Sequence, residues 1–232
     1  MTDFTLYFVR HGESVANLAD RNGTKRPDDA DRLSDLGWEQ ARSLGRRLEG
    51  AGLELIVAST MGRAQETAQG IAEVLDPASP SARHRDASRS LAVETDPDLF
   101  EVRQSDAFYA ASPDYGDTAT PNWMPGAEPS FAEPGAESFE DIVGRVRRVQ
   151  ERLAERATER RVLAVSHHGF LHFFLGVTLF GDDFSPRHVP GLYQAGHANT
   201  GITIFERRAR RVMDGMDFPG WVLTTWNDQA HL

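Results

Sequence analysis

Three short segments rich in arginine and histidine follow apolar runs of the sequence, and their residue types suit chemistry on an anionic substrate. Each apolar run has the length and composition of a buried strand. Ligands of open parallel sheets bind beyond the carboxyl ends of the strands, so we expect the three segments to converge at one edge. The runs and the segments after them are Phe4–Val9 with Arg10-His11-Gly12-Glu13, Leu53–Ala58 with Ser59-Thr60-Met61-Gly62-Arg63, and Val162–Val165 with Ser166-His167-His168-Gly169.

Such a convergence predicts a phosphate site. Arginine guanidinium groups match phosphate oxygens in a two-pronged geometry, and backbone amides at helix starts add further donors. A neutral imidazole is a competent nucleophile toward phosphorus near pH 7. The residue types alone favour His11 and His167 about equally for that role.

The order of motifs along nearly the whole chain resembles the histidine phosphatase superfamily, the phosphoglycerate-mutase-like family. The Arg-His-Gly signature alone would be a weak match, whereas seven motifs in the family's order are a strong one. They are Val9 to Ser14 with Asn17, Leu33 to Gly37 with Gln40-Ala41, Ser59 to Ala68, Leu99-Phe100-Glu101, Gly135 to Ser138, Val165 to His167 with Gly169, and Asn199-Thr200.

The resemblance implies a role for each matched residue. His11 would form a phosphohistidine intermediate, and Glu101 would protonate the leaving oxygen and then activate water. Asp96 and Asp98 are nearby rivals for the acid. The residues expected to hold the phosphoryl group are Arg10, Arg63 and His167, with Asn17 touching the phosphate.

Two positions depart from the family pattern. Residues 18–32 form a longer segment than the family usually has, and we place its phosphate contact at Gly23. His168 stands where the family often has glycine. Either its side chain lines the substrate pocket, or the residue simply replaces glycine and its backbone amide has the same role as the amide of that glycine.

Strands alternating with helices predict an α/β fold, a three-layer α/β/α sandwich with a mostly parallel sheet. We expect one domain over residues 1–232, with an insertion at about 102–135 that is either a lid over the site or a surface excursion. Asp76–Ser90 is expected to be a loop. The remaining expected elements are strands Gly201–Phe205 and Trp221–Thr225 and helices Leu36–Glu49, Arg63–Leu75, Glu137–Glu159 and His168–Phe180.

Composition narrows the classes of function. The 232 residues include no cysteine, which excludes a disulfide framework, a Cys-ligated metal site and a cysteine nucleophile. A net charge of −10 argues against nucleic acid and anionic membranes as partners. Lys25 lies in a polar Thr-Lys-Arg-Pro segment that fits neither a Walker A loop nor a Schiff base. We expect a cytoplasmic protein that needs no cofactor or metal and takes a small phosphorylated substrate; the oligomeric state stays open.

The main prediction is a metal-independent phosphomonoester hydrolase, and three alternatives accompany it. A cofactor-dependent phosphoglycerate mutase would carry a basic cluster after the acid, whereas only Arg103 follows Glu101 closely. A metal hydrolase is suggested by His168 and His172, which have the i, i+4 spacing of helix ligands. A non-catalytic phosphate-binding protein would lack a catalytic residue, and every matched position is filled here.

Overall fold

A six-stranded sheet forms the centre of the fold. The computed structural model describes residues 4–75, 91–105, 123–156, 161–208, 212–213, 216–217 and 220–232. In space the central strands run β3-β2-β4-β1-β5-β8, and β6 and β7 form a separate two-stranded ladder. The strands are β1 (Phe4–Arg10), β2 (Leu55–Ala58), β3 (Ala92–Thr95), β4 (Arg161–Ser166), β5 (Ile202–Arg208), β6 (Val212–Met213), β7 (Met216–Asp217) and β8 (Gly220–Asp228).

The part of the sheet that positions polar residues is parallel. Strands β3, β2, β4 and β1 pair in parallel, while β5 and β8 run antiparallel to their neighbours. In this register Arg10 lies opposite Ser166, and Ala58 lies opposite Val165. The carboxyl ends of β1, β2 and β4 therefore meet at one edge.

Six α-helices and three 3₁₀ turns are present in the described ranges. Serine caps begin three of the helices: Ser14 accepts from the Asn17 amide, Ser34 from the Gly37 amide and Ser138 from the Asp141 amide. In the part of the chain described, no helix is both long and apolar enough to cross a membrane. The helices are α1 (Val15–Arg21), α2 (Asp35–Arg47), α3 (Gly62–Leu75), α4 (Phe139–Ala154), α5 (His168–Phe180) and α6 (Val189–Tyr193), and the 3₁₀ turns are Pro97–Leu99, Gly181–Asp183 and Pro186–His188.

Helices cover both faces of the sheet, which confirms the predicted three-layer α/β/α sandwich. Alternate side chains of the parallel strands point to opposite faces. Val9, Ile56 and Val165 pack with the apolar faces of α2 and α3. Phe8 and Ala164 pack on the other face against α4 and α5. Burial on both faces explains why these strands read as continuous apolar runs in the sequence.

Several elements differ from the sequence-based expectation. Helix α1 and strand β3 were not predicted, and α4 ends at Ala154, although the expected helix ran to Glu159. The loop expected at Asp76–Ser90 lies outside the described residues. So do positions 106–122 of the expected insertion, and the choice between lid and surface excursion depends on them.

Candidate active site

The three polar segments meet above the carboxyl edge of the parallel strands, as the sequence predicts. The His11 amide donates to the Ser166 carbonyl at 2.9 Å, and the Ser59 amide donates to the Val165 carbonyl at 2.9 Å. A cavity of about 750 Å³ opens at this edge. The residues that line it are Arg10, His11, Ser14, Ala16, Asn17, Asp20, Arg26, Met61, Arg63, Phe100, Glu101, Val102, Arg103, Gln104, Trp123, Gly135, His168, Gly169 and Tyr193.

The imidazole of His11 is held in one orientation at the cavity floor. Its Nδ1 lies 2.7 Å from the Gly12 carbonyl oxygen, which can only accept, so Nδ1 carries the ring proton. Its Nε2 accepts from the Arg63 Nε at 3.0 Å. The lone pair of the neutral ring is therefore on Nε2, the nitrogen on the side of the cation.

Arg63, the second residue of α3, contacts a different residue with each of its three side-chain nitrogens. Nε donates to His11, and Nη2 lies 3.2 Å from His167 Nδ1. Nη1 donates to Asp31 Oδ1 at 2.6 Å, while the other oxygen of Asp31 accepts from the Gly62 amide at 2.8 Å. The carboxylate of Asp31 thus fixes the plane of the guanidinium against the two histidines.

His167 lies behind His11 and is fully buried. Its Nε2 is 2.8 Å from the Ser59 hydroxyl, and the two imidazole centroids are 5.2 Å apart. Burial, followed by the charges of neighbouring groups that include Arg63 and Arg10, holds the pKa of both histidines well below the usual 6.5. Both imidazoles are consequently neutral near pH 7.

Arg10 brings a second guanidinium to the cavity from the end of β1. Its Nη1 donates to the His197 carbonyl at 2.9 Å, whereas its buried Nε has no hydrogen-bond partner within the described ranges. Burial lowers the pKa of Arg10, the nearby Glu101 opposes that shift, and Arg63 adds to it. An unused donor beside a second cation suits an anionic ligand.

Glu101 faces the cavity from the loop after the Pro97–Leu99 turn. Its Oε1 accepts from the Val102 amide at 2.8 Å and from the Phe170 amide at 3.0 Å, and its Oε2 accepts from the Gly169 amide at 3.2 Å. The first turn of α5 therefore aims this carboxyl group. The rival carboxylates Asp96 and Asp98 bond instead to Arg152 of α4.

Sequence reasoning missed Arg145, which holds the backbone that carries Glu101. Arg145 is 6% exposed and donates to the carbonyls of Asp98 at 2.9 Å and of Phe100 at 2.6 Å. Its Nε and Nη2 each donate to the Glu137 carboxylate at 2.7 Å. The signal in the sequence was an arginine on the apolar face of an amphipathic helix, a position normally filled by an aliphatic residue.

The three expected substrate-binding residues differ in where they lie. Asn17 lines the cavity and accepts from the Ser14 amide at 3.2 Å, and His168 also lines it. Gly23 does not reach the cavity, which is a correction to its expected place. It follows helix α1 with a left-handed φ of +62°, and its amide donates to the Asp20 carbonyl, so it shapes a turn. From this longer segment it is Asp20 and Arg26 that line the cavity.

The histidine pair proposed as metal ligands forms part of a packed aromatic group. His172 Nδ1 lies 2.7 Å from the His168 carbonyl oxygen, and the two rings are 4.3 Å apart. Burial and His172 lower the pKa of His168 to about 3. Over the described ranges no group of three or more His, Cys, Asp or Glu side chains is placed to hold a metal ion.

Comparison with known proteins identifies the family. Residues 6–214 match the model of the histidine phosphatase superfamily, branch 1, and the chain belongs to that family. This agrees with the resemblance found in the motifs. Members named as relatives include both phosphatases and phosphoglycerate mutases.

Two curated relatives and one solved structure illustrate the range. The chain is 30% identical over 216 residues to a 2,3-bisphosphoglycerate-dependent phosphoglycerate mutase of Methylocella silvestris, covering 88% of this chain and 92% of the relative. It is 25% identical to the metal-independent phosphoserine phosphatase of Arabidopsis thaliana, covering 98% and 82%. The phosphoserine phosphatase of Entamoeba histolytica shares the fold, with a TM-score of 0.67, 20% identity and 98% of each chain covered.

Proposed function

We propose that this protein is a metal-independent phosphomonoester hydrolase that works through a phosphohistidine on His11. The observation that carries the proposal is the fixed tautomer of His11. Its Nδ1–H donates to the Gly12 carbonyl, and its Nε2 lone pair faces the Arg63 guanidinium at an open cavity that Arg10 also lines. A nucleophile held between cations is what attack on a dianionic phosphate requires.

In the first step the Nε2 lone pair of His11 attacks phosphorus. The bond from phosphorus to the ester oxygen breaks, and its electron pair goes to that oxygen. Glu101 gives the oxygen a proton, so the alcohol leaves neutral. Arg10 and Arg63 hold oxygens of the phosphoryl group and offset their charge during the transfer. His167, which was expected to share this role, does not line the cavity and instead contacts the Arg63 guanidinium through its Nδ1.

In the second step a water molecule attacks the phosphorus of phosphohistidine. Glu101, now a carboxylate, takes a proton from that water, and the phosphorus–Nε2 bond breaks. The products are inorganic phosphate and neutral His11, ready for the next substrate. The depressed pKa of His11 supports this cycle, because the departing imidazole stays uncharged.

The substrate is proposed to be a small phosphorylated metabolite with one phosphate group. Met61, Phe100, Trp123 and Tyr193 give the cavity an apolar part, and 750 Å³ suits a small molecule. The named activities of the relatives, on phosphoserine and on phosphoglycerate, also involve small phosphate esters.

A phosphoglycerate mutase is the second candidate, because the relative of that name is matched over most of both chains. A mutase grips a substrate with two anionic groups, which needs cations beyond those around His11. Two arginines line the outer cavity, but the Arg26 guanidinium is paired with Asp20 at 2.7 and 2.5 Å. The guanidinium carbon of Arg103 lies 4.9 Å from the centre of the Phe100 ring, so both of these arginines already contact another side chain.

The test is hydrolysis of p-nitrophenyl phosphate in excess EDTA by the wild type and by His11→Ala. We expect the wild type to be active and the variant to lose at least about a thousandfold in kcat, the scale seen when a covalent nucleophile is removed. His188→Ala is the matched control, because His188 lies in the Pro186–His188 turn and does not line the cavity.

The outcomes separate the candidates. Equal activity in the wild type and His11→Ala would contradict the proposed nucleophile, and loss of activity in EDTA would contradict a metal-independent reaction. An inactive wild type that interconverts phosphoglycerates when primed with 2,3-bisphosphoglycerate would be a mutase. An inactive wild type that only binds phosphate esters would be a binding protein.

A further inference from the structure

Tyr193, the last residue of α6, is clamped between two aromatic side chains. Its ring stacks on His172 with centroids 4.7 Å apart and planes at 24°, and on Trp123 at 5.5 Å and 24°. Trp123 is 6% exposed and packs edge-on against Phe173 of the core. A ring held on both faces has few orientations, so the direction of its hydroxyl is fixed by the fold.

The Tyr193 hydroxyl lies on the same side of Gly169 as the Glu101 carboxyl group. A methyl group added to the Gly169 Cα would come 2.8 Å from Glu101 Oε1 and 3.1 Å from the Tyr193 oxygen. Glycine at this position therefore leaves room for both groups. All three residues line the same cavity as His11.

The hydroxyl has no hydrogen-bond partner among the residues that the structure describes, although its neighbours on the cavity wall are tied to the backbone. Burial, reinforced by the nearby Glu101, raises the pKa of Tyr193 well above its ordinary value of 10. The hydroxyl therefore keeps its proton at every pH at which the protein would be assayed.

We infer that Tyr193 donates a hydrogen bond to the leaving-group oxygen of the substrate, beside the proton supplied by Glu101. This inference rests on the proposed phosphatase reaction. When the phosphorus–oxygen bond breaks, negative charge grows on the ester oxygen, and a fixed neutral donor there stabilises it. The transferred proton still comes from Glu101, and Tyr193 keeps its own throughout. The benefit is largest for alkyl phosphates, whose alkoxides are the most basic leaving groups.

The experiment compares Tyr193→Phe with the wild type on substrates that differ in leaving group. Phenylalanine keeps the stacked ring and removes only the hydroxyl. We expect kcat to fall about tenfold for alkyl phosphates such as phosphoserine or glycerol phosphate, and less than about twofold for p-nitrophenyl phosphate, whose leaving group needs little help. The control is Tyr7→Phe on β1, where the ring packs against the core face of α2 and α3.

A purely structural role for Tyr193 would lower kcat equally for all leaving groups, or raise only KM, and either result overturns the inference. The proposed function fails in a different way. If the wild type shows no turnover that depends on His11, the phosphatase reaction is wrong, and the inference falls with it. If the wild type is active and only the leaving-group dependence is unchanged in Tyr193→Phe, the phosphatase reaction stands and the role of Tyr193 is refuted.

Discussion

His11 carries its proton on Nδ1 because a single backbone carbonyl, that of Gly12, lies 2.7 Å away. The reactivity of its other ring nitrogen, Nε2, depends on the groups that contact it. The Arg63 Nε–H donates to the Nε2 lone pair. In the proposed reaction the incoming phosphate takes over this guanidinium as the lone pair turns to phosphorus, so the same cation orients His11 before binding and offsets charge on the phosphate after it.

The lowered pKa of His11 predicts how activity depends on pH. Protonated His11 cannot attack, and a histidine with an ordinary pKa of 6.5 would cost about tenfold in activity at pH 5.5. Because burial and two arginines hold the pKa of His11 well below 6.5, we expect kcat/KM to change by less than about twofold between pH 7 and pH 5.5.

The measurement is kcat/KM in EDTA from pH 5 to pH 9, with circular dichroism at each pH to show that the chain is folded. Imidazole NMR of the wild type, with His11→Ala for assignment, reports the titration of His11 directly. An acid limb centred near pH 6.5, or a His11 resonance that titrates there, would contradict the depressed pKa.

At the scale of elements, Glu101 is held by two helices that are distant in the sequence. The start of α5 supplies amides to its carboxyl group, and α4 supplies Arg145 to the carbonyls of Asp98 and Phe100. Arg145 is held in turn by Glu137, the residue before the N-cap of α4. The Gly135 to Ser138 motif therefore positions Glu101, the proposed acid, through a buried ion pair.

Arg145→Lys tests this chain of contacts. Lysine keeps the positive charge but lacks the planar fork that reaches Glu137 and two carbonyls together. We expect kcat to fall about ten- to hundredfold, since small misplacement of a catalytic group is costly, while KM changes little because the phosphate ligands are untouched. Steady-state kinetics with glycerol phosphate provides the measurement.

Arg148→Lys is the matched control for that variant. Arg148 lies on the same helix, but it is more than half exposed and contacts the Asp98 carboxylate at 3.4 Å rather than a backbone carbonyl of the Glu101 loop. It should keep wild-type kcat. A normal kcat in Arg145→Lys, or an equal loss in both variants, would show that Arg145 does not position Glu101.

Elements with a strong periodic pattern were predictable from the sequence, and short or exposed ones were not. Helices α2, α3 and α5 begin and end within two residues of the expected bounds, because an apolar stripe marks α2 and α3 and a continuous apolar run marks α5. Strand β3 is exposed along its whole length at the sheet edge, so it has no alternation to detect. Helix α1 has seven residues, of which one is buried, and a Ser14–Asn17 capping box begins it.

The residues of the candidate site also divide into those that the sequence predicts and those that it does not. Arg10, His11, Arg63 and His167 follow strand ends, and the parallel register brings them together, so convergence was predictable. Asp31, Arg145 and Tyr193 act through contacts with segments distant in sequence, which only the tertiary fold determines. The role of Glu101 came from the family motif alone, because an acidic residue in a loop carries no local signal.

At the scale of the whole molecule, the buried histidines in and around the proposed phosphate site make the fold less stable at low pH. Several buried histidines have a pKa below the 6.5 expected in the unfolded chain, and for His168 and His197 it is about 3. Between those values the unfolded chain binds more protons than the folded one, so stability decreases as pH falls from 6.5. The other histidines with a lowered pKa are His11, His167, His172 and, half-exposed, His231.

We therefore expect the free energy of unfolding, measured with urea, to be nearly constant above pH 7 and to fall steeply from pH 6.5 to pH 5. Each buried histidine contributes up to about 1.4 kcal/mol per pH unit in that window. The protein should thus lose stability in the same mildly acidic range in which His11, the proposed nucleophile, stays neutral. Activity that declines at pH 5 would then follow the unfolded fraction rather than protonation of His11.

His197→Gln isolates the contribution of one histidine to the pH dependence of the free energy of unfolding. His197 is 5% exposed, with its Nε2 2.9 Å from the Thr203 hydroxyl, and glutamine can replace that hydrogen bond without binding a proton. Even if the variant starts from a lower free energy of unfolding at pH 7.5, that free energy should fall less between pH 6.5 and pH 5 than it does in the wild type. The difference in slope corresponds to up to one proton fewer taken up on unfolding. An identical slope in the two proteins would mean that His197 titrates alike in the folded and unfolded chains, and the buried cluster would not then be the origin of acid sensitivity.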